Sequence, residues 1–126
     1  MSRAVVSLLL ALALAACSSG PPTPAWQMSA RSGLDAAALA WLEGRTATEV
    51  VEFTRARAAI ARTGRLDLLA RAELHRCALR TATLVFEPCA GFEALAADAT
   101  PEDAAHVRYL ANRLRPGDAE RLPAAH

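Results

Sequence analysis

The sequence predicts an all-α fold, a small bundle of antiparallel α-hairpins with one disulfide. From about Leu34 onward the apolar residues recur with helical spacing. No stretch shows the strict alternation, rich in branched residues, that a strand requires. Glycine or proline separates the helical stretches, so the connections are short and neighbouring helices must lie antiparallel.

The first predicted helix begins at Ser32 or Leu34 and runs to Glu43. Gly44 ends it, because glycine readily takes the left-handed conformation in which many helices stop. Its apolar face is formed by Leu34, Ala38, Trp41 and Leu42.

The second predicted helix begins with Thr46-Ala47-Thr48-Glu49. This pattern is typical of a capping box, in which the threonine oxygen accepts a hydrogen bond from the amide three residues on and the glutamate reaches back. Thr46 and Glu49 are therefore predicted helix caps. Gly64 ends this helix, whose buried stripe is predicted to be Val50, Phe53, Ala56 and Ile60.

The third predicted helix runs from about Leu66 to Val85, and Pro88 prevents its continuation because proline lacks an amide hydrogen. A short helix is predicted around 92–97. The side of the third helix predicted to be buried carries Leu66, Leu69, Ala70, Leu74, Cys77, Thr81 and Leu84.

The last predicted helix starts at Thr100-Pro101-Glu102-Asp103. Threonine is a favoured cap, proline is preorganised for the first helical position, and acidic residues favour the positive end of the helix dipole. Thr100 is therefore a predicted cap. This helix ends at Pro116-Gly117 and is predicted to bury Ala104, Val107, Leu110, Ala111 and Leu114.

Four residues of the first two helices are similar to a tetratricopeptide-type hairpin: Trp41, the turn glycine Gly44, Phe53 and Ala56. In that family an aromatic and a small residue of the second helix pack against the first. The resemblance covers about residues 34–64 and implies tetratricopeptide-like packing. Glu49 departs from the family, which prefers alanine at that place.

The start of the chain has the layout of a secretory signal. Arg3 puts one positive charge ahead of an apolar run, residues 4–16, and small residues close the run before Cys17. The run of about 13 residues is shorter than the roughly 20 that a membrane-spanning helix needs. A polar stretch, residues 18–20, follows at once, so a retained transmembrane helix is not expected.

The tetrapeptide Leu14-Ala15-Ala16-Cys17 resembles the lipobox of bacterial lipoproteins of the Gram-negative type. The resemblance implies that residues 1–16 are a signal peptide and that Cys17 becomes the lipid-modified N-terminus. It therefore implies a lipid anchor in a membrane, with a covalent lipid such as palmitate on Cys17 and no other cofactor. Ser18, in a place where aspartate favours inner-membrane retention, favours the periplasmic face of the outer membrane.

Proline shapes the segment after the predicted cleavage site. Residues 17–30 contain Pro21, Pro22 and Pro24 and are predicted to form the lipidated N-terminus and an extended tether. Residues 31–126 are then one helical domain, since the roughly 110 residues that remain after removal of residues 1–16 suffice for one modest core but not for two.

Cys77 and Cys89 remain once Cys17 carries lipid. An even pair in an oxidising compartment predicts a disulfide, which would tie the end of the third helix to the turn after Pro88. The alternative is a catalytic or metal-binding pair, whose usual C-x-x-C or zinc-knuckle spacing these residues lack.

Charge and polar content narrow the function classes. The chain has 14 arginines and no lysine. Without Arg3, which belongs to the predicted signal, 13 arginines balance 13 acidic residues. A nucleic-acid partner is therefore not expected. From Gly33 onward there is no serine or glutamine, and common catalytic motifs are missing, which disfavours an enzyme.

Two histidines could take part in a site on a helix surface. His106 lies one turn from Glu102 and close to Asp103, so a metal site is conceivable, but a solvated face with a weak i,i+4 contact is the preferred interpretation. His75 is expected at the surface. No metal ligand and no catalytic residue is predicted.

We therefore expect a non-enzymatic interaction or assembly module that holds an envelope protein. The alternative is a small-ligand or lipid-binding protein with a cavity lined by Trp41, Phe53 and Phe92, and an envelope enzyme is the least favoured class. An exposed apolar strip would favour the first class, an enclosed pocket the second, and converging polar side chains the third.

Overall fold

A computed structural model describes residues 20–124, and every regular element in this range is helical, which confirms the predicted all-α fold. The predicted signal peptide and Cys17 lie outside the described residues. The helices are α1 (Ala25–Leu42), α2 (Thr46–Ala61), α3 (Leu66–Ala82), α4 (Ala90–Glu93) and α5 (Pro101–Leu110), with 3-10 turns at Ala96–Asp98 and Ala119–Arg121.

Helix α1 begins at Ala25, so the predicted start at Ser32 or Leu34 is wrong, and residues 25–30 belong to the helix rather than to the tether. Pro24, which is extended with ψ 141°, immediately precedes it. The sequence hid this first part of α1 because the residues buried there, Ala30 and Gly33, are too small to give an apolar pattern. Residues 20–24 are exposed and carry no regular structure.

Helices α1 and α2 form a tightly packed antiparallel hairpin around Gly44, whose φ is 73°. At Gly33 the helices are so close that an added Cβ would lie 2.9 Å from the Ala56 Cβ and 3.0 Å from the Glu52 carbonyl oxygen. Val50, predicted to be buried, is exposed. The buried residues of α2 are Glu49, Phe53, Ala56, Ala59 and Ile60.

The predicted capping box of α2 is wrong. Arg45 holds the cap position, and Thr46 is the exposed first residue of the helix and makes no capping hydrogen bond. Glu49 pairs with Arg76 of α3 instead of reaching back to the cap. Two charge-assisted hydrogen bonds to a guanidinium are stronger than the bond to one backbone amide, which accounts for the outcome.

Helix α3 contributes to two core clusters. The first cluster joins α1, α2 and α3 and contains Ala30, Ala59, Ile60, Leu69 and Ala72. The second joins α3 and α4, with Val107 and Leu110 of α5 packed against it, and its buried residues are Ala70, Leu74 and Phe92. Helix α3 ends at Ala82 rather than Val85, and Leu66 and Leu84, predicted to be buried, are exposed.

The predicted disulfide between Cys77 and Cys89 is confirmed. It joins α3 to the residue before α4, with the two Cα atoms 5.6 Å apart. The bond closes the loop that leaves α3, and closing a loop of this size contributes about 3 kcal/mol in the chain-entropy model.

Helix α5 starts as predicted, because the Thr100 Oγ1 accepts a hydrogen bond of 3.2 Å from the Asp103 amide. Its buried residues are Asp103 and Ala105, while Ala111 and Leu114, predicted to be buried, lie beyond the helix end and are exposed. Beyond α5, the buried Asp118 accepts hydrogen bonds of 2.7 and 2.5 Å from Arg108. This pair holds the C-terminal segment against α5.

Candidate functional site

Helices α1 and α3 end at one end of the bundle, where α2 begins, and we call it the Trp41 end. A hydrogen bond of 3.0 Å from Trp41 Nε1 to Thr83 Oγ1 joins the two helix ends. Large apolar side chains are exposed in the last turn of α1 and just after the end of α3, whereas such residues are usually scattered singly over a protein surface. This exposed apolar set consists of Leu39, Leu42, Leu84 and Phe86, with exposed fractions of 54%, 62%, 76% and 75%.

Leu84 has an unusual backbone as well as an exposed side chain. Its φ is 64°, the same left-handed conformation that Gly44 and Gly64 adopt after α1 and α2. This conformation costs a residue with a Cβ about 1–2 kcal/mol. Leu84 thus combines a strained backbone with an exposed apolar side chain, and glycine at this position would avoid both.

A buried carboxylate connects α2 to α3 at the Trp41 end. Glu49, which is 3% exposed, accepts hydrogen bonds from Arg76 Nε at 2.6 Å and Arg76 Nη2 at 2.8 Å. Arg80 lies 3.7 Å from the same carboxylate and also pairs with Glu87 in the loop after α3. The hydrogen bonds to Glu49 raise the pKa of Arg76, against the opposing effect of burial. These ion pairs tie α2, α3 and the loop together.

The same two arginines stack on aromatic rings. The Arg76 guanidinium carbon lies 4.4 Å from the Phe53 ring centre, and that of Arg80 lies 4.8 Å from the Trp41 ring centre. Phe92 belongs to the second core cluster. These three rings do not line one cavity of the kind that the alternative ligand-binding function would need, because an arginine stacks on each of Trp41 and Phe53 and Phe92 is packed in the second core cluster.

A cleft of about 530 Å³ lies beside Phe86, between the loop after α3 and α5. Cys89 lines this cleft, so the disulfide fixes one of its walls. The lining also includes apolar residues and charges of both signs: Phe86, Val107, Leu110, Glu87, Glu93 and Arg113. The cleft and the exposed apolar set together form the candidate interaction surface.

A second groove of about 410 Å³ runs between the first halves of α1 and α3. The groove is not apparent from the sequence, because Trp26, which lines it, falls within the predicted tether. Apolar side chains dominate its lining, including Trp26, Leu34, Ile60 and Leu68. Arg31, Arg71 and His75 also line the groove.

The residues around His106 do not form a metal centre. Within residues 20–124, no group of three or more histidine, cysteine, aspartate or glutamate side chains is arranged to hold a metal ion. Asp103 is buried and accepts a hydrogen bond of 3.1 Å from Arg71 Nε. His75 and His106 line the same cleft as Arg71 and Glu102.

No protein-family model, curated protein or solved structure matches this chain. The tetratricopeptide-like resemblance therefore remains a similarity of a few residues, of which Phe53 and Ala56 are buried on α2. No helix in the described part of the chain is both long and apolar enough to cross a membrane.

Sequence reasoning named Glu49 but missed its partners, Arg76 and Arg80. A signal was present, because Glu49 stands on the apolar face of its helix and two arginines stand one turn apart on the next helix. Leu84 and Phe86 could also have been found, since the apolar residues 84–86 stand just ahead of Pro88, where a helix has to end.

Proposed function

We propose that this chain is a lipid-anchored protein of the bacterial envelope whose helical domain holds another envelope protein and has no enzymatic activity. The anchor is the lipid on Cys17, and the location is the periplasmic face of the outer membrane. The lipobox resemblance supports the anchor, and the candidate interaction surface at the Trp41 end supports the protein partner. The balanced charge disfavours nucleic acid as that partner.

Leu84 is the observation that carries the proposed interaction. A left-handed leucine that is 76% exposed lowers the stability of the free protein, where glycine would serve the turn equally well. Strained and exposed residues of this kind occur where function requires the side chain. Burial of Leu84 against a partner would recover about 1.5–3 kcal/mol of hydrophobic free energy.

The variant Leu84→Gly tests this interaction. A photo-crosslinking residue at position 86 in living cells should capture one defined envelope protein, identified by mass spectrometry, and Leu84→Gly should reduce that adduct several-fold. The same variant should raise the free energy of unfolding by about 1 kcal/mol, because it relieves the strain.

Leu66→Ala is the matched control, since it removes an exposed leucine at the opposite end of the bundle and should leave the adduct unchanged. A position-86 adduct that survives Leu84→Gly, or the absence of any adduct, would contradict the proposed interaction surface.

The anchor is tested separately through Cys17. Cells fed a palmitate analogue should label the wild-type protein, and Cys17→Ser should abolish the label and leave an uncleaved precursor. Cys89→Ala controls for loss of a thiol elsewhere and should keep the label. Equal labelling of wild type and Cys17→Ser would contradict the lipid anchor.

A second candidate function is the binding of a small apolar or acyl ligand in the groove between α1 and α3. Its volume of about 410 Å³ lies within the range of ligand sites, and its lining is mainly apolar. Binding of a fluorescent fatty acid that Leu34→Arg abolishes and Leu84→Gly preserves would favour this function over a protein partner.

A further inference from the structure

The end of the bundle opposite to the Trp41 end also exposes apolar side chains. Here α1 and α3 begin and α2 ends, and we call it the Trp26 end. Met28 is 58% and Leu66 43% exposed, and Trp26 is half-buried in the first turn of α1. A tryptophan and exposed aliphatic residues at the same end of a domain are typical of surfaces at the boundary between lipid and water.

Arginines surround these apolar residues. Arg31, Arg55 and Arg65 each lie within 4.0 Å of an acid. Arg62, which lines a cleft together with Met28, has no acidic partner within that distance in residues 20–124. The acids are Asp35, Glu52 and Asp67, so four arginines against three acids leave the Trp26 end with a formal charge of +1.

A guanidinium without a carboxylate partner is well suited to a phosphate, which it can bind through two parallel hydrogen bonds. Arg62 is exposed and stands at the C-terminal end of α2, beside the start of α1. Within residues 20–124, the Trp26 end therefore combines exposed apolar side chains with a cation that no acid pairs, a combination complementary to the phosphates and acyl chains of a phospholipid surface.

The path of the chain points to the same end. Residues 20–24 are exposed and lead directly into Ala25. With Cys17 as the lipidated residue, Ala25 stands eight positions after it, and a fully extended chain spans at most about 29 Å over that distance. The tether thus enters the domain at the Trp26 end.

We propose that the Trp26 end rests on the phospholipid bilayer that holds the acyl chains of Cys17, with Trp26 among the headgroups and Arg62 on a lipid phosphate. This orientation rests on the lipid anchor proposed above. It leaves the Trp41 end, with Leu84 and Phe86, facing away from the membrane.

The two tryptophans stand at opposite ends of α1 and so report the orientation. The full lipidated protein is reconstituted into vesicles of phosphatidylethanolamine and phosphatidylglycerol, with or without brominated acyl chains that quench indole fluorescence. Trp41→Phe leaves Trp26 as the emitter, and Trp26→Phe leaves Trp41. We expect quenching of Trp26 to exceed that of Trp41 at least three-fold.

If Trp41→Phe does not fold, the quenching of Trp26→Phe is compared with that of wild type. Wild-type emission contains both tryptophans, so the difference between the two proteins reports the quenching of Trp26. Arg62→Ser should reduce the quenching of Trp26, and Arg113→Ser, in the cleft beside Phe86, should leave it unchanged.

Flotation of the same vesicles separates the two proposals. A protein that floats while Trp26 is quenched no more than Trp41 contradicts the orientation and leaves the anchor intact. A protein that does not float contradicts the anchor, and the orientation is then wrong as well.

Discussion

Replacement of Glu49 by glutamine, a change of very small size, should lower the stability of the fold strongly. Its carboxylate is buried and holds Arg76 through two hydrogen bonds. Glu49→Gln removes the negative charge and leaves Arg76 partly buried without its partner, which costs about 3 kcal/mol. Chemical denaturation should give this loss.

Thr46→Ala is the matched control on the same turn of helix. Thr46 is exposed and caps nothing, so its loss should change the unfolding free energy by less than about 0.5 kcal/mol. A loss near 1 kcal/mol for Thr46→Ala would instead restore the capping box.

A residue pattern alone could not separate these two roles for Glu49. The sequence Thr-x-x-Glu fits a capping box, and the competing contact comes from Arg76, 27 positions further along the chain. The cap at Thr100 was predictable because its partner, the Asp103 amide, is local. The cap at Thr100 could therefore be predicted from its own local pattern, whereas the choice between a cap and an ion pair at Glu49 depended on where the fold places Arg76.

Asp118 should give the protein a stability that depends on acid pH. The hydrogen bond from Arg108, aided by the Arg115 amide, holds the pKa of Asp118 well below its ordinary value of 3.8. The folded form therefore binds a proton less readily than the unfolded form. The stabilisation is complete above pH 3.8 and is lost as the pH falls through the lowered pKa of the folded state.

Urea denaturation at several pH values between about 5 and 2 measures this effect. Wild type should be more stable than Asp118→Asn at pH 5, and the difference should shrink towards pH 2. Asp67→Asn is the control. Hydrogen bonding to the exposed Arg65 lowers the pKa of Asp67 to about 2. Solvent screens that pair, so Asp67→Asn should change the stability little at any of these pH values. A constant gap between wild type and Asp118→Asn would contradict the role of this carboxylate.

At the scale of helices, the contact of α1 with α2 depends on Gly33. A methyl group there would meet the Ala56 Cβ and the Glu52 carbonyl oxygen, both of which belong to a packed helix. Gly33→Ala should destabilise the protein by about 1–3 kcal/mol through overpacking, although alanine is the better helix former. Ser32→Ala, one position away and exposed, should not lower the melting temperature.

Helix positions were easier to predict than helix faces and ends. The turns at Gly44 and Gly64 and the start at Thr100 came from residues with strong local preferences. The early start of α1 was missed because it packs through alanine and glycine. Leu84 fits the buried face only if the helical period continues to it, and α3 ends at Ala82.

At the scale of the whole molecule, the core has two parts that share α3. Only the second part, with Phe92, lies beside the disulfide. The double variant Cys77→Ala, Cys89→Ala should lose about 2–5 kcal/mol of stability. Hydrogen exchange should show lost protection first in α4 and α5, while α1 and α2 keep theirs. Equal loss in both parts would contradict this division.

The length of α1 has a consequence for the height at which the protein can meet a partner. Its 18 residues, at about 1.5 Å each, separate Trp26 from the Trp41 end by about 27 Å. With the Trp26 end on the bilayer, Leu84 stands at roughly that height above the headgroups, and a longer tether would not raise it. In this proposed orientation, a partner that reaches Leu84 must extend from the membrane surface to the same height, so a protein surface confined to the headgroup layer could not make this contact.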